Sequence, residues 1–303
     1  MRILMIFLDG VGLGSDDPTI NPFAAAHTPT LWALAGGRKW LWDTPRIDSE
    51  RALFIPTDPR LGVAGRPQSA SSQAAILTGR NVPALIGEHY GPKPNAAIRA
   101  ILAQPDNLFK QVRARGLSAA LLDAYPPQFF AGIDRGKTLR SSIQQAAFEA
   151  DVPIRGEDYL RRGEALSVDW TGEGWRSMLG YSDTPVYSRP EAGALLGSLA
   201  SQYHFSFFSH WITDEIGHRG PLARGIAILE LFDQVLAGLL ANWDDQAGLI
   251  VITSDHGNLE DVSIRQHTEN NVPTVIIGAA RKAFGENLQA LTDLTPAVMS
   301  VLT

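Results

Sequence analysis

The chain has no cysteine. Disulfides, thiolate nucleophiles and sulfur-ligated metals are therefore excluded, and any metal must be held by oxygen and imidazole. No apolar run approaches the roughly 18–20 residues needed to span a bilayer. Charge of one sign is nowhere concentrated: 26 Lys and Arg and 32 Asp and Glu are spread through 303 residues, giving a net charge of −6. Neither nucleic acid nor a membrane is expected as a partner. There is no internal repeat and no low-complexity tract. The start, "MRILMIFLDG", is apolar but is broken by Asp9 and carries no small-residue cleavage site. It reads as a first core strand rather than a signal peptide, and the expected location is cytoplasmic.

What is present is enough apolar material, 45% of the residues, for a large core. The length suits one large α/β domain with an insertion. Short apolar runs at Arg2–Leu8, Ser118–Asp123, Phe205–Ser209, Gly248–Thr253 and Thr274–Ile277 read as buried strands. Helical spacing marks Pro29–Ala35, Asn107–Arg115, Pro221–Ala241 and Leu291–Leu302. This alternation predicts an α/β fold, a mostly parallel sheet with helices on both faces. Residues 131–190 differ in texture, being polar, rich in Arg, Gly and Glu, and without a clean buried strand. They are expected to form a small cap or lid inserted between core segments 1–130 and 191–303.

In such folds ligands gather at the carboxyl ends of the strands. Asp9 ends the first strand in "IFLDG". Asp214 and His218 stand four apart in "FFSHWITDEIGHRG", Asp255 and His256 follow a strand in "ITSDHGN", and His267 precedes another in "RQHTENNVPTVIIG". Taken singly, each is ordinary turn or surface chemistry. The set carries the argument: three carboxylates and three imidazoles at strand ends suit two borderline divalent ions, Mn²⁺ or Zn²⁺, rather than an all-oxygen Ca²⁺ cage. Such a pair stabilises both the attacking and the leaving oxygen in displacement at phosphorus. His27, His89, His204 and His210 read as structural or surface histidines. For a nucleophile, "GRPQSASSQAAILTGRNVP" offers Ser69, Ser71 and Ser72 just before a helix, where free N–H groups and the positive helix end favour phosphate. Local sequence does not choose among the three.

These motifs resemble the alkaline phosphatase superfamily, nearest the branch of cofactor-independent phosphoglycerate mutase and phosphopentomutase. "LDGVGLG", "DEIGH", "TSDHGNLE" and the His-Thr…Asn-x-Val-Pro pattern at His267 occur in that family's order, and "NPFAAAHTPTL" is similar to the segment after its first strand. The resemblance covers roughly residues 1–90 and 200–303. It implies an alkaline-phosphatase-like core. Counting back from Gly79-Arg80 aligns Ser69 with the family nucleophile, with Ser71 as the fallback. One ion would be held by Asp9, Ser69, Asp255 and His256, the other by Asp214, His218 and His267. The implied activity is transfer of a phosphoryl group from a small phosphorylated metabolite through a phosphoserine, by a phosphatase or a phosphomutase. A phosphodiesterase of the same superfamily and a non-catalytic metal-binding scaffold are the alternatives. The mutases carry a much larger inserted domain than this chain has room for, so the phosphoglycerate assignment does not carry over. Arg135, Arg140 and Arg155 in the middle segment are the candidates for binding a substrate phosphate, with Arg161 and Arg162 beside them.

Overall fold

The computed structural model describes residues 1–302; Thr303, the last residue of the expected core segment, lies outside the described residues. Seven strands form one sheet: β1 (Arg2–Leu8), β2 (Ile47–Asp48), β3 (Ala52–Thr57), β4 (Ala119–Leu121), β5 (Phe205–His210), β6 (Gly248–Thr253) and β7 (Val272–Ile277). Their spatial order is β2-β3-β7-β6-β1-β5-β4. β6, β1, β5 and β4 run parallel, while β7, β3 and β2 add an antiparallel edge.

β1 lies between β5 and β6 and is buried along its length after Arg2, which is why it reads as a continuous apolar run rather than an alternating one. Its side chains still alternate. Leu4, Ile6 and Leu8 enter one core, and Ile3, Met5 and Phe7 enter the other. Helices Arg189–Ala200 and Leu222–Ala241 cover the first face. Ser69–Thr78, Ser142–Glu149 and Leu294–Val301 cover the second.

β2 and β3 are not among the strands expected from the apolar runs, and β3 contains Pro56, a residue that ordinarily argues against a strand. The register explains how it is tolerated. Pro56 stands opposite Pro273, so neither nitrogen faces into the β3–β7 ladder. Pro56 lies beyond the stretch that β2 pairs, and Pro273 lies beyond the stretch that β6 pairs. The two missing donors therefore fall where no partner strand needs them.

The expected insertion boundaries fall inside helices, Pro127–Asp134 at one end and Arg189–Ala200 at the other. Between them are short helices Ser142–Glu149, Glu157–Arg161 and Glu173–Ser177. Ile143, Ala146 and Ala147 enter the second-face core. Trp170 enters the first, its ring 4.5 Å from Phe208 and 5.3 Å from Phe232. The segment has a small cluster of its own, Leu160, Ala165 and Trp175 with Ala124. Among the described residues no helix is long and apolar enough to cross a membrane.

Candidate metal centre

Parallel strands β1, β5 and β6 end on the same side of the sheet, and their following loops bring the acids and histidines together. Asp9 leaves β1 into Gly10, whose φ of +69° is one that a side chain disfavours. A Cβ there would also lie 2.6 Å from Asp214 Oδ1, so glycine lets the first loop pass against the third carboxylate. Two groups result. Asp9, Asp255 and His256 offer ligand atoms all within 4.8 Å of one another, and so do Asp214, His218 and His267. The groups adjoin: the His256 and His267 rings stack with centroids 3.7 Å apart, and His218 Nε2 lies 3.1 Å from His267 Nε2.

All three imidazoles are oriented alike. His267 Nδ1 lies 2.8 Å from the Pro67 carbonyl, His256 Nδ1 3.3 Å from that of Gly257, and His218 Nδ1 3.3 Å from that of Arg265. A carbonyl only accepts, so each Nδ1 carries the proton and each Nε2 turns a lone pair into the cluster. That is the usual arrangement of metal-binding histidines.

Ser69 is the first residue of helix Ser69–Thr78, and its Oγ lies 3.0 Å from His256 Nε2. Ser71 is differently employed: its Oγ donates to the Gln68 carbonyl and accepts from Tyr90 N–H at 3.0 Å, tying the 88–93 loop to the helix start. Ser72 Oγ is buried without a partner. Three further residues complete the centre. Gln73, one turn beyond Ser69, donates to Asp255 Oδ2 at 3.0 Å and Asp9 Oδ2 at 3.3 Å. Asn258 Nδ2 donates to Asp214 Oδ1 at 2.6 Å. Buried Glu260 accepts from Gly12 N–H at 3.0 Å, Asn258 N–H at 2.7 Å, Asn270 Nδ2 and Thr268 Oγ1, clamping the first-strand loop to the last.

The electrostatics are unbalanced without cations. Burial, then the charges of Asp255 and Asp214, push the Asp9 carboxyl well above the ordinary range. Burial raises Asp255 as well, against the pull of His256. Burial acts the same way on Asp214, but His218 and His267 outweigh it and hold its carboxyl far below the usual value. Asp9 Oδ1 is buried with no hydrogen-bond partner. An orphaned carboxylate oxygen, clustered acids and inward Nε2 lone pairs form a donor set that fits two divalent cations.

A cavity of about 590 Å³ opens over these groups. Its lining includes Asp9, Ser69, Gln73, Asp214 and His218, and also Lys93, Tyr125, Phe129, Trp211 and Arg219. The arginines considered from sequence are placed elsewhere. Arg155 is buried and donates to the Glu164 carbonyl and Tyr203 Oη. Arg140 lies 3.9 Å over the Phe148 ring, and Arg135 donates to the Ala131 carbonyl. Arg161 and Arg162 pair with neighbouring acids. Gln73 carried a readable signal, since i and i+4 share a helix face with Ser69. Lys93 and Trp211 carried none.

Comparison with known proteins places the sequence and the fold among these relatives. Residues 187–302 match the family model of the metalloenzyme superfamily. Over 159 residues the chain is 30% identical to the 2,3-bisphosphoglycerate-independent phosphoglycerate mutase of Roseobacter denitrificans, covering 48% of this chain and 30% of that enzyme. The aligned part thus spans less than a third of the relative. Among solved structures, the PH0037 protein from Pyrococcus horikoshii superposes with a TM-score of 0.60 at 16% identity, over 99% of this chain and 96% of that one. The alkaline phosphatase of the Antarctic bacterium TAB5 does so with a TM-score of 0.55 at 14% identity, over 99% and 98%.

Proposed function

We propose that the chain, whose fold superposes on an alkaline phosphatase and part of whose sequence is similar to a phosphoglycerate mutase, is a two-metal phosphoryl-transfer enzyme that acts on a small phosphomonoester through a phosphoserine at Ser69. The observation that carries the reading is the position of Ser69 Oγ, at a helix start and 3.0 Å from Nε2 of His256 in the first ligand group.

Asp9, Ser69, Asp255 and His256 would hold one ion and Asp214, His218 and His267 the other. Bound there, Mn²⁺ or Zn²⁺ would neutralise the phosphate oxygens, lower the pKa of the serine hydroxyl and take up charge on the leaving oxygen. The protein's own groups do the positioning. Of the first-turn N–H groups of helix Ser69–Thr78, that of Ser71 is taken by the Tyr90 carbonyl and that of Ser72 by the Gln68 carbonyl, so those of Ser69 and Ala70 would be the ones to receive a phosphate oxygen. Gln73 holds Asp9 and Asp255 in register with Ser69. The Oγ–P bond forms as the bond from phosphorus to the ester oxygen breaks, releasing the alcohol. Attack by water on the phosphoserine then frees phosphate and restores Ser69.

Hydrolysis is the preferred outcome, because solvent reaches the second ligand group: the His218 side chain is 37% exposed and that of Asp214 19%. A mutase must keep water from its intermediate. The similarity to phosphoglycerate mutase supports return of the phosphoryl group to a substrate hydroxyl as the second reading. A screen of phosphorylated metabolites with the Mn²⁺- or Zn²⁺-loaded protein, scoring phosphate release and phosphate migration separately, decides between them. Ser69→Ala is expected to lower turnover by about 10³-fold or more. Turnover unchanged by that substitution would refute the nucleophile, and turnover absent from the parent would refute the enzyme.

A further inference from the structure

We infer that the cavity over Ser69 selects phosphate esters whose alcohol part carries a flat, uncharged ring, an inference that rests on the phosphoryl-transfer reading above. Asp9, Asp214, His218 and Ser69 form its floor, and the wall beside them is largely aromatic and apolar, with Tyr125, Pro126, Phe129, Ile143, Pro92 and Trp211 outweighing the polar Thr138, Ser141, Gln144 and Ser209. Phe129 stacks on Tyr125 with centroids 4.6 Å apart, and Phe130 packs edge-on against Phe129 at 5.3 Å. Tyr125 is fixed in turn, its hydroxyl donating to buried Asp123. A wall braced in this way cannot turn aside cheaply to admit a polar group.

Trp211 is the second observation. It directly follows β5 and precedes the helix that carries Asp214 and His218, yet its side chain packs into neither core and the residue is 45% exposed. Folding gains little from a tryptophan left there. A ligand ring lying on it would bury its free face and gain stacking as well.

Charge points the same way. Lys93 and Arg219 are the cations on the lining, and among the described residues neither forms an ion pair there. Asp9, Asp214 and Glu215 line the same space. Two cations suffice for the outer oxygens of one phosphate. A second anion on the substrate would find no further Lys or Arg on the lining, since Arg135, Arg140, Arg155, Arg161 and Arg162 are all turned elsewhere. The cavity, at about 590 Å³, has room beyond a phosphate for a ring.

Turnover alone would mislead, because a phenolate leaves more readily than an alkoxide whatever the pocket prefers. The test is therefore calorimetric binding of phosphonates, which cannot be hydrolysed, to the metal-loaded protein. Phenylphosphonate should bind roughly three- to tenfold tighter than methylphosphonate, the range expected of an added ring contact. Trp211→Ala should bring the two affinities together, and Trp211→Phe should restore part of the gap. Equal affinities in the parent would overturn the inference. So would a Trp211→Ala protein that keeps the gap, or tighter binding of 2-carboxyethylphosphonate than of phenylphosphonate. These readings do not depend on Ser69. A protein that shows the ring preference but no Ser69-dependent turnover would sink the proposed chemistry and leave the ring selectivity standing.

Discussion

The metal centre that floors the cavity draws Asp9, Asp214, Asp255 and three histidines from the segments that follow β1, β5 and β6, and packs them with their charges unbalanced. Beside it, residues 127–190 supply Phe129 and Ile143 to the wall and short helices whose buried side chains join the two cores. The floor is held in place by hydrogen bonds from Gln73 and Asn258 and by the Glu260 clamp. A ligand set of this kind can be moved very little without losing function, whereas a wall can be rebuilt by any residues that pack. Binding selectivity is therefore expected to reside in the wall and chemistry in the floor.

The largest stability effect should come from the wall side. Trp170 is fully buried against Phe208 and Phe232. Trp170→Ala should cost about 3–5 kcal/mol, as other large-to-small changes in a core do, and should appear as an earlier midpoint of one cooperative urea transition. A separate early transition that leaves the main one in place would show instead that residues 131–190 fold as an independent lid.

The floor should respond to ions rather than to truncation. At 100-fold excess over its dissociation constant, an ion bound only by the folded state adds about 2.7 kcal/mol per site. Melting with and without Mn²⁺ or Zn²⁺ measures this, and Asp255→Asn should reduce the increment while leaving the metal-free protein no less stable. Removing one of three crowded acids relieves repulsion that the fold otherwise bears. An increment unchanged by Asp255→Asn would mean that the ions bind elsewhere.

This contrast also explains what could be read from the sequence. β1 and β6 were legible to the residue because a central parallel strand is buried on both faces and so is apolar throughout. The candidate ligands were legible because a strand end is a fixed place in such a fold, and a carboxylate or imidazole there stands out from the apolar run before it. β3 was not, since Pro56 is acceptable only through a register that no local pattern reveals. Trp170 was not, because it sits in the polar segment and reaches its core through an irregular turn. Lys93 and Trp211 reach the cavity by the path of their loops, and the middle arginines miss it for the same reason. The composition of that segment suggested an anion site, but its geometry spends those guanidinium groups on carbonyls, a ring and neighbouring acids.

Between floor and cores lies Glu260. It accepts from Gly12 and Asn258 N–H groups, Asn270 and Thr268, so it fixes the loops after β1 and β6 and, through Asn258, the Asp214 carboxylate. Glu260→Gln keeps the size but turns one acceptor into a donor facing N–H groups, and should cost about 2 kcal/mol. Because it touches neither proposed ion, its signature is weaker metal affinity at the Asp214 site as well as a lower melting point. Loss of stability with metal affinity intact would confine it to a structural part.

The smallest effect concerns pH and sets one buried group from each side against the other. Burial raises the Asp123 carboxyl to about 6 in the folded protein, against 3.8 as its reference, with Tyr125 and Ser209 partly offsetting it. A raised acid pKa means that the folded state binds the proton more tightly. Asp123 therefore costs stability increasingly as pH rises from about 4 to about 6, and the cost is constant above that. His210 runs the opposite way. Burial beneath Trp170 lowers it to about 4 from 6.5, so stability falls as pH drops through that interval. Between pH 5 and pH 7 the two slopes oppose each other, and Asp123→Asn removes one of them. Relative to the parent, the variant should gain about 1 kcal/mol on going from pH 5 to pH 7, by linkage from the shifted carboxyl. Urea melts of both proteins at the two pH values, without metal, measure that difference directly. A difference independent of pH would show that Asp123 titrates alike in the folded and unfolded chains, and that Tyr125 is braced by a carboxylate already charged.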